Sequence, residues 1–314
     1  MKAFFLHPVV SFLMKLIISA SLLIGLIFYI DFHSLIASLS NANKVYLTIG
    51  FLLVGANIGM HFLRWRYVLH LISSDISPGE VFTSLLVGLT TGFFTPGQIG
   101  EFAGRIASHP NIRKSYVVGL SVIDKLYLLA LTLVSGICAL SLFFYLHLSE
   151  YWKVGYGVIG FLIIVLVLFI FLFPEITKKL LLFVPEKIRQ HRLYNIIEVI
   201  ETKFHNREGQ TLFLLTALLY TIIFFQYFIF SIAFEPVSIG NSLMCSASVY
   251  FVKAVVLPIS IGDLGVRESA AVFFFSKVGV SAASAFNASM CMFIANLVIP
   301  SVAGAILIMK VKLK

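Results

Sequence analysis

Long apolar runs, separated by short charged stretches, set the pattern of this chain. Six runs approach the ~20 residues needed to cross a hydrocarbon core of ~30 Å: 10–30, 45–63, 116–146, 154–173, 211–234 and 288–309. Two further runs, 79–95 and 241–257, are marginal in length and rich in Gly, Ser and Thr; they end at Pro96 and Pro258. Proline lacks a backbone N–H and disfavours helix in the residue before it, so a helix arriving from the N-terminal side stops there. These two runs are predicted to enter the membrane and turn back. The first run, Val9 to Ile30, carries Lys15 and has no A-x-A site after it. It is too long for a secretory h-region and is predicted to be an uncleaved span.

Composition sharpens this picture. Of 314 residues, 60% are hydrophobic and 12% charged, and the mean hydropathy is +1.01. A soluble domain carries about 25% charged residues, so most of this surface must face lipid. A soluble enzyme, a nucleic-acid binder and a disordered chain are excluded. The sequence pI of 9.4 reflects Lys and Arg at span ends, where membrane topology accounts for them. Cys138, Cys245 and Cys291 are scattered and form neither a disulfide framework nor a metal motif. No metal or cofactor site is expected.

The basic residues also predict orientation. With the N-terminus in the cytoplasm, sixteen Lys and Arg fall in inside segments and five outside: Lys44, Lys153, Lys253, Arg267 and Lys277. This bias predicts both termini inside. The stretch Pro174 to Gln210 mixes charges with apolar residues at helical spacing, among them Leu181, Val184, Ile188 and Ile196. It reads either as a basic amphipathic element on the cytoplasmic leaflet or as a solvated loop.

An internal echo organises the chain. Pro96-Gly97-Gln98-Ile99-Gly100-Glu101-Phe102-Ala103-Gly104-Arg105 and Pro258-Ile259-Ser260-Ile261-Gly262-Asp263-Leu264-Gly265-Val266-Arg267 share Pro, Ile, Gly and Arg in register, offset by 162 residues. The same offset lays the span at 211–234 over the second span and that at 288–309 over the third. The prediction is an all-α polytopic membrane protein of about six transmembrane helices plus two re-entrant helical hairpins. Residues 1–150 form a first repeat around Pro96, and 151–314 form a second around Pro258. Three crossings per half invert the second repeat. The tips, comprising Pro96, Gly97, Gly100, Pro258, Gly262 and Gly265, would meet near the bilayer midplane. Irregular backbone is tolerated there only when it lines a cavity or is buried in protein.

Such hairpins carry charge inward. An intramembrane charge costs about 2.5–3.5 kcal/mol even on the lenient insertion scale. Arg64, Arg66, Arg105, Lys125, Lys253 and Arg267 stand against Glu101, Asp124, Asp263 and Glu268. This positive surplus suits a phosphate-bearing lipid headgroup, which Arg can bind bidentately. Alternatively, the i, i+4 pairs Glu101–Arg105 and Asp263–Arg267 are internal salt bridges that let the hairpins insert. Arg64-Trp65-Arg66 also reads as an interfacial anchor at a span end. Gly88 and Gly92 predict close helix packing. His61 and His70 are expected at the interface.

With these motifs the chain resembles the lysylphosphatidylglycerol synthase transmembrane-region family of flippase-like membrane proteins, which includes the membrane domain of the bacterial multiple peptide resistance factor. The resemblance runs through Arg64-Trp65-Arg66, Pro96 to Glu101 with Arg105, Asp124-Lys125, and Pro258 to Glu268. The family's second motif reads Gly-Gly-x-Gly-x-x-Glu. Here Asp263 stands in place of the second glycine, in Gly262-Asp263-Leu264-Gly265-Val266-Arg267-Glu268.

The resemblance implies a lipid translocase with inverted repeats. It does not imply aminoacyl-lipid synthesis, which a separate soluble domain performs in bifunctional members and for which the chain to Lys314 leaves no room. The expected function is a flippase for an anionic phospholipid or a polyprenyl-phosphate-linked glycolipid in a prokaryotic cytoplasmic membrane. It would not be an enzyme. Two readings stand beside it: a membrane scaffold recruiting a lipid-synthesising enzyme, and a lipid-phosphate or sugar transferase. A homo-oligomer is also open.

Overall fold

The computed structural model describes residues 8–95, 98–147, 150–172, 204–256 and 263–312. Pro96, Gly97, Pro258 and Gly262 lie outside the described residues, as does the expected amphipathic stretch up to Lys203. Among the described residues the protein is all-α and polytopic. The helices are α1 (Pro8–Ile30), α2 (Phe32–Ser40), α3 (Lys44–His70), α4 (Pro78–Phe93), α5 (Gly100–Ala107), α6 (Lys114–His147), α7 (Glu150–Leu172), α8 (Asn206–Phe234), α9 (Ile239–Val255), α10 (Val266–Ser276), α11 (Ala282–Phe293) and α12 (Ile299–Lys312). A π-helical turn, Ile294–Val298, joins α11 to α12.

Among the described residues, four segments are long and apolar enough to cross a membrane alone: Lys44–His70, Lys114–Leu146, Asn206–Phe234 and Ala282–Met309. A fifth is added if α1 and α2, bent by 81°, count as one. The bend falls at Asp31, at φ 74, whose carboxylate accepts the Ser34 N–H and caps α2. The expected span at 154–173 coincides with α7, whose described apolar part is the shorter Gly160–Leu172.

Local sequence explains the two short helices. Ser77 accepts the Glu80 N–H at 3.2 Å, Glu80 accepts the Ser77 N–H at 3.0 Å, and Pro78 opens the helix, so α4 starts with a full capping box. Its 16 residues span about 24 Å, less than the hydrocarbon core. The chain then folds back. The Thr91 hydroxyl donates to the Gly100 carbonyl at 2.7 Å and the Gly100 N–H donates to the Thr95 hydroxyl at 2.7 Å, so α5 returns antiparallel along α4. A Cβ at Gly100 would collide with the Thr91 carbonyl oxygen, which is why this turn needs glycine. In the second hairpin, α9 begins at a Ser238 cap, and α10 returns alongside it with the Cys245 thiol 3.5 Å from the Phe274 carbonyl.

The 162-residue offset reappears as matched elements: α3 with α8, α4 with α9, and α6 with the α11–α12 segment. The first matched pair packs directly and antiparallel. The Asn43 N–H donates to the Ala233 carbonyl (2.7 Å), Gln226 donates to the Gly50 carbonyl (2.9 Å), and Arg64 donates to the Thr216 hydroxyl (3.0 Å). The other contacts are exchanged. Helix α4 lies on α12, with Thr90 donating to the Ser301 carbonyl at 2.8 Å, while α9 lies on α6, where Phe251 fills the space beside Gly136. Small residues at such crossings let backbones approach closely, the main route to helix association in lipid.

Candidate functional site

The first charge cluster forms where α5 is pressed between α4 and α6. Gly88 and Gly92 make this possible, since a Cβ on Gly88 would stand 3.0 Å from Arg105 Cγ, and one on Gly92 would stand 3.2 Å from Glu101 Cβ. One turn apart on α5, Arg105 pairs with Glu101 at 2.6 Å, as the i, i+4 spacing predicts. Arg105 also reaches Asp124 at 3.2 Å, and Asp124 meets Arg64 at 2.7 Å. Lys125 closes the other end on Glu101 and donates to Gln98 at 3.0 Å. The result is a linear chain of alternating charge, Arg64–Asp124–Arg105–Glu101–Lys125, with three cations and two carboxylates. Neighbouring helix positions point ~100° apart, and Asp124 and Lys125 serve different partners.

Arg64, Glu101, Arg105 and Asp124 are buried in protein. Trp65 is buried too; its ring lies 3.9 Å from the Arg105 guanidinium, and its N–H donates to Ser84 at 3.2 Å. Arg64 and Trp65 are therefore no interfacial anchor: α3 continues to His70, and both face its interior neighbours. The periodicity of an apolar run cannot tell a lipid-facing turn from one covered by another helix.

The second cluster differs from its expected form. Asp263 pairs with Lys253 at 3.2 Å, not with Arg267 one turn on. Helix α10 starts only at Val266, so Asp263 precedes it and the i, i+4 geometry does not apply. Arg267 instead binds Glu268 and the Ser289 hydroxyl (3.2 Å), and Glu268 accepts the Gly265 N–H at 2.7 Å, capping α10. Asp263 has φ 60 and Gly265 φ 86. The residue that departs from the family motif thus keeps a backbone that favours glycine, at a cost of roughly 1–2 kcal/mol.

A cavity of about 290 Å³ lies between the clusters. Its wall includes Lys125 and Gln98 from the first half, Lys253 and Tyr250 from α9, and Asn57, His61, Tyr220 and Asn296. Asn57 and Tyr220 stand at the midpoints of their spans, Asn296 stands within a residue of its own, and Leu129 and Thr132 on the wall bracket the midpoint of α6. The cavity therefore lies at mid-span depth in all four long apolar segments. Gln98, Lys253 and Ala254 bring the described ends of both hairpins to the same level.

Of the predicted charges, only Lys125 and Lys253, with side chains 30% and 28% exposed, line this cavity. Arg64, Glu101, Arg105, Asp124, Arg267 and Glu268 form buried networks behind it. The six-against-four surplus thus reaches the wall as two lysines, each held by a carboxylate. His61 lines the cavity and does not sit at the interface. Sequence reasoning passed over Asn57, Tyr220, Tyr250 and Asn296. A signal was available, because an amide at the centre of an apolar span is costly unless it is used. Among the described residues, no group of three or more His, Cys, Asp or Glu is placed to hold a metal ion.

No curated protein matches the chain. Residues 12–304 match the family described as the lysylphosphatidylglycerol synthase TM region, so this multi-pass membrane protein, across nearly its whole length, belongs to that lipid-related family.

Proposed function

We propose that the protein is a lipid translocase. The headgroup of an anionic phospholipid or of a polyprenyl-phosphate-linked glycolipid passes through the mid-span cavity while the acyl or prenyl chains stay in the bilayer. The observation that carries this reading is one cavity, at the centre of four apolar spans, to which each half contributes a lysine. A pocket at that depth that presents two lysines lowers the barrier to a phosphate crossing hydrocarbon.

The antiparallel packing of α3 on α8 and the exchanged contacts of α4 and α9 support an inverted repeat, in which alternating access arises when one hairpin rocks against the other. The site moves its substrate without making or breaking bonds. On the charge asymmetry of the sequence, both termini face the cytoplasm of a prokaryotic cell.

The test is a scrambling assay with the full chain in proteoliposomes, following dithionite quenching of fluorescent phosphatidylglycerol. Accelerated exchange that falls at least tenfold in Lys125→Met supports the reading. Exchange no faster than in empty vesicles, for phosphatidylglycerol and for a polyprenyl-phosphate sugar, overturns it.

A further inference from the structure

The bend of 81° between α1 and α2 gives α2 a level of its own. Its nine residues make about 13 Å of helix. At that angle to α1 they add roughly 2 Å to the depth the pair crosses. After Asn41, Ala42 and Asn43, helix α3 starts a crossing of its own. Helix α2 therefore runs along the membrane surface, on the face where α1 arrives and α3 departs. Asp31 before it and Lys44 after it are both exposed, which puts its two ends at the level of water.

Around α2 the side chains fall into three rows. The first faces protein: Leu35 is buried with Val272 of α10 and with Ala283 and Phe286 of α11, and the Ser38 and Ser284 hydroxyls lie 3.3 Å apart. The Leu35 carbonyl also accepts from Asn287 at 3.0 Å. The second row is Phe32, Ile36 and Leu39, at the i, i+4, i+7 spacing of one helix face. These three are 58%, 49% and 50% exposed. His33, Ala37 and Ser40 repeat that spacing one residue on, about 100° farther round, and all three are exposed, the His33 side chain by 95%.

One surroundings suits all three rows. In water, the second row would leave three large apolar side chains uncovered beside one another. In hydrocarbon, His33, Ser40 and Asn41 would lose water without gaining a partner. The headgroup boundary is apolar below and aqueous above, and a helix with opposed apolar and polar rows lies flat in it. Phe28 and Tyr29, 84% and 77% exposed on the last turn of α1, stand beside this level, where aromatic belts form.

We propose that α2 is an interfacial helix whose partner is the lipid surface itself. Phe32, Ile36 and Leu39 sink among the first carbons of the acyl chains, while His33, Ala37 and Ser40 meet water. Because Leu35 and Ser38 hold α11 on the third side, α2 moors that end of the second half to one leaflet. This goes beyond the translocase reading and stands without it.

The test measures depth in the full chain. Cys138→Ser leaves only the buried Cys245 and Cys291; single cysteines are then placed as His33→Cys, Ile36→Cys, Ala37→Cys and Leu39→Cys, spin-labelled, and reconstituted in phosphatidylglycerol–phosphatidylethanolamine vesicles. Relaxation by oxygen and by a nickel chelate reports the level of each label. Labels at 36 and 39 should lie about 5–10 Å below the phosphates and favour oxygen. Labels at 33 and 37 should lie at or above the phosphates and favour the chelate. All four labels open to the chelate would place the second row in water, and all four in the hydrocarbon would make α1 and α2 one broken span. Either result overturns the proposal. Labels at 36 and 39 shielded from both reagents would reveal a protein cover, such as a second copy, and overturn it equally. Phe32→Trp in the otherwise unmodified chain is an independent measurement. Its emission, after subtraction of that from Trp65 and Trp152, should be quenched more by lipids brominated near the headgroup than by lipids brominated near the chain end; no quenching by either overturns the proposal.

Discussion

The Asp124 carboxylate lies 2.7 Å from the Arg64 guanidinium, and neither side chain is reached from the surface. Asp124 also carries Arg105, so its removal strands the buried Arg64 and leaves Arg105 to Glu101 alone. Breaking a buried pair from one side costs about 3–5 kcal/mol. Asp124→Ala should therefore lower the unfolding temperature sharply in detergent and reduce yield. Removing both partners of the first bridge, in Arg64→Met with Asp124→Leu, should recover part of the loss, as a double-mutant cycle on thermal unfolding would show.

Lys125 and Lys253 stand at the cavity wall, each with a carboxylate behind it. A charge-assisted hydrogen bond contributes about 1.5–3 kcal/mol. Lys125→Met and Lys253→Met should each slow transport of a phosphate-bearing lipid by about tenfold or more. Lys125→Arg should retain most activity, since charge at the wall is what the site requires. Scrambling rates, with unfolding temperatures as a control, decide this.

Asp263 holds φ 60 where the family motif has glycine. Asp263→Gly relieves that backbone and releases Lys253 from its partner. We expect thermal stability equal to or above that of the unmodified protein, together with tighter retention of anionic lipid, measured by native mass spectrometry. Asp263→Asn keeps a residue tolerant of this backbone and should tighten retention without the gain in stability.

Two glycines separate packing from tolerance. A Cβ on Gly304 would collide with the Leu86 carbonyl oxygen and the Thr90 hydroxyl, whereas one on Gly55 would meet nothing within 4 Å. Overpacking costs about 1–3 kcal/mol, so Gly304→Ala should destabilise the α4–α12 contact and Gly55→Ala should be neutral. Parallel melts of the two variants check this.

Glu235 follows the end of α8 and accepts the Ser281 N–H at 2.8 Å. Burial pushes its carboxyl up, but the Ser281 N–H and the hydroxyls of Ser281 and Ser284 more than offset this and hold it below the ordinary carboxylate value. Its folded value is thus below its unfolded one, so its contribution is complete above the ordinary carboxylate range and is lost as pH falls through the lowered value. In an acid titration of thermal unfolding, Glu235→Gln should lie below the unmodified protein at neutral pH and converge with it in acid.

Much of this protein was legible along the chain. Lipid-facing helices need uninterrupted apolar runs, so four of the six expected spans are legible as long helices. The run 10–30 falls in a bent pair, and 154–173 keeps only the shorter apolar Gly160–Leu172. The cap Ser77-Pro78-Gly79-Glu80 and the pair Glu101–Arg105 are local, and helical spacing alone brings such residues together. At the 162-residue offset, the bounds of α3, α4 and α6 fall on α8, α9 and the α11–α12 segment.

Other relations were decided only when the helices packed. Asp124 meets an arginine 60 positions away along the chain. Asp263 turns to Lys253 because α10 begins too late to offer it Arg267. Asn57, Tyr220 and Asn296 share one wall because separate spans cross at the same depth. Apolar patterning determines that a segment enters the membrane. Which of its faces meets protein, lipid or a polar cavity is set by the neighbours it packs against, and a single run of sequence carries no record of them.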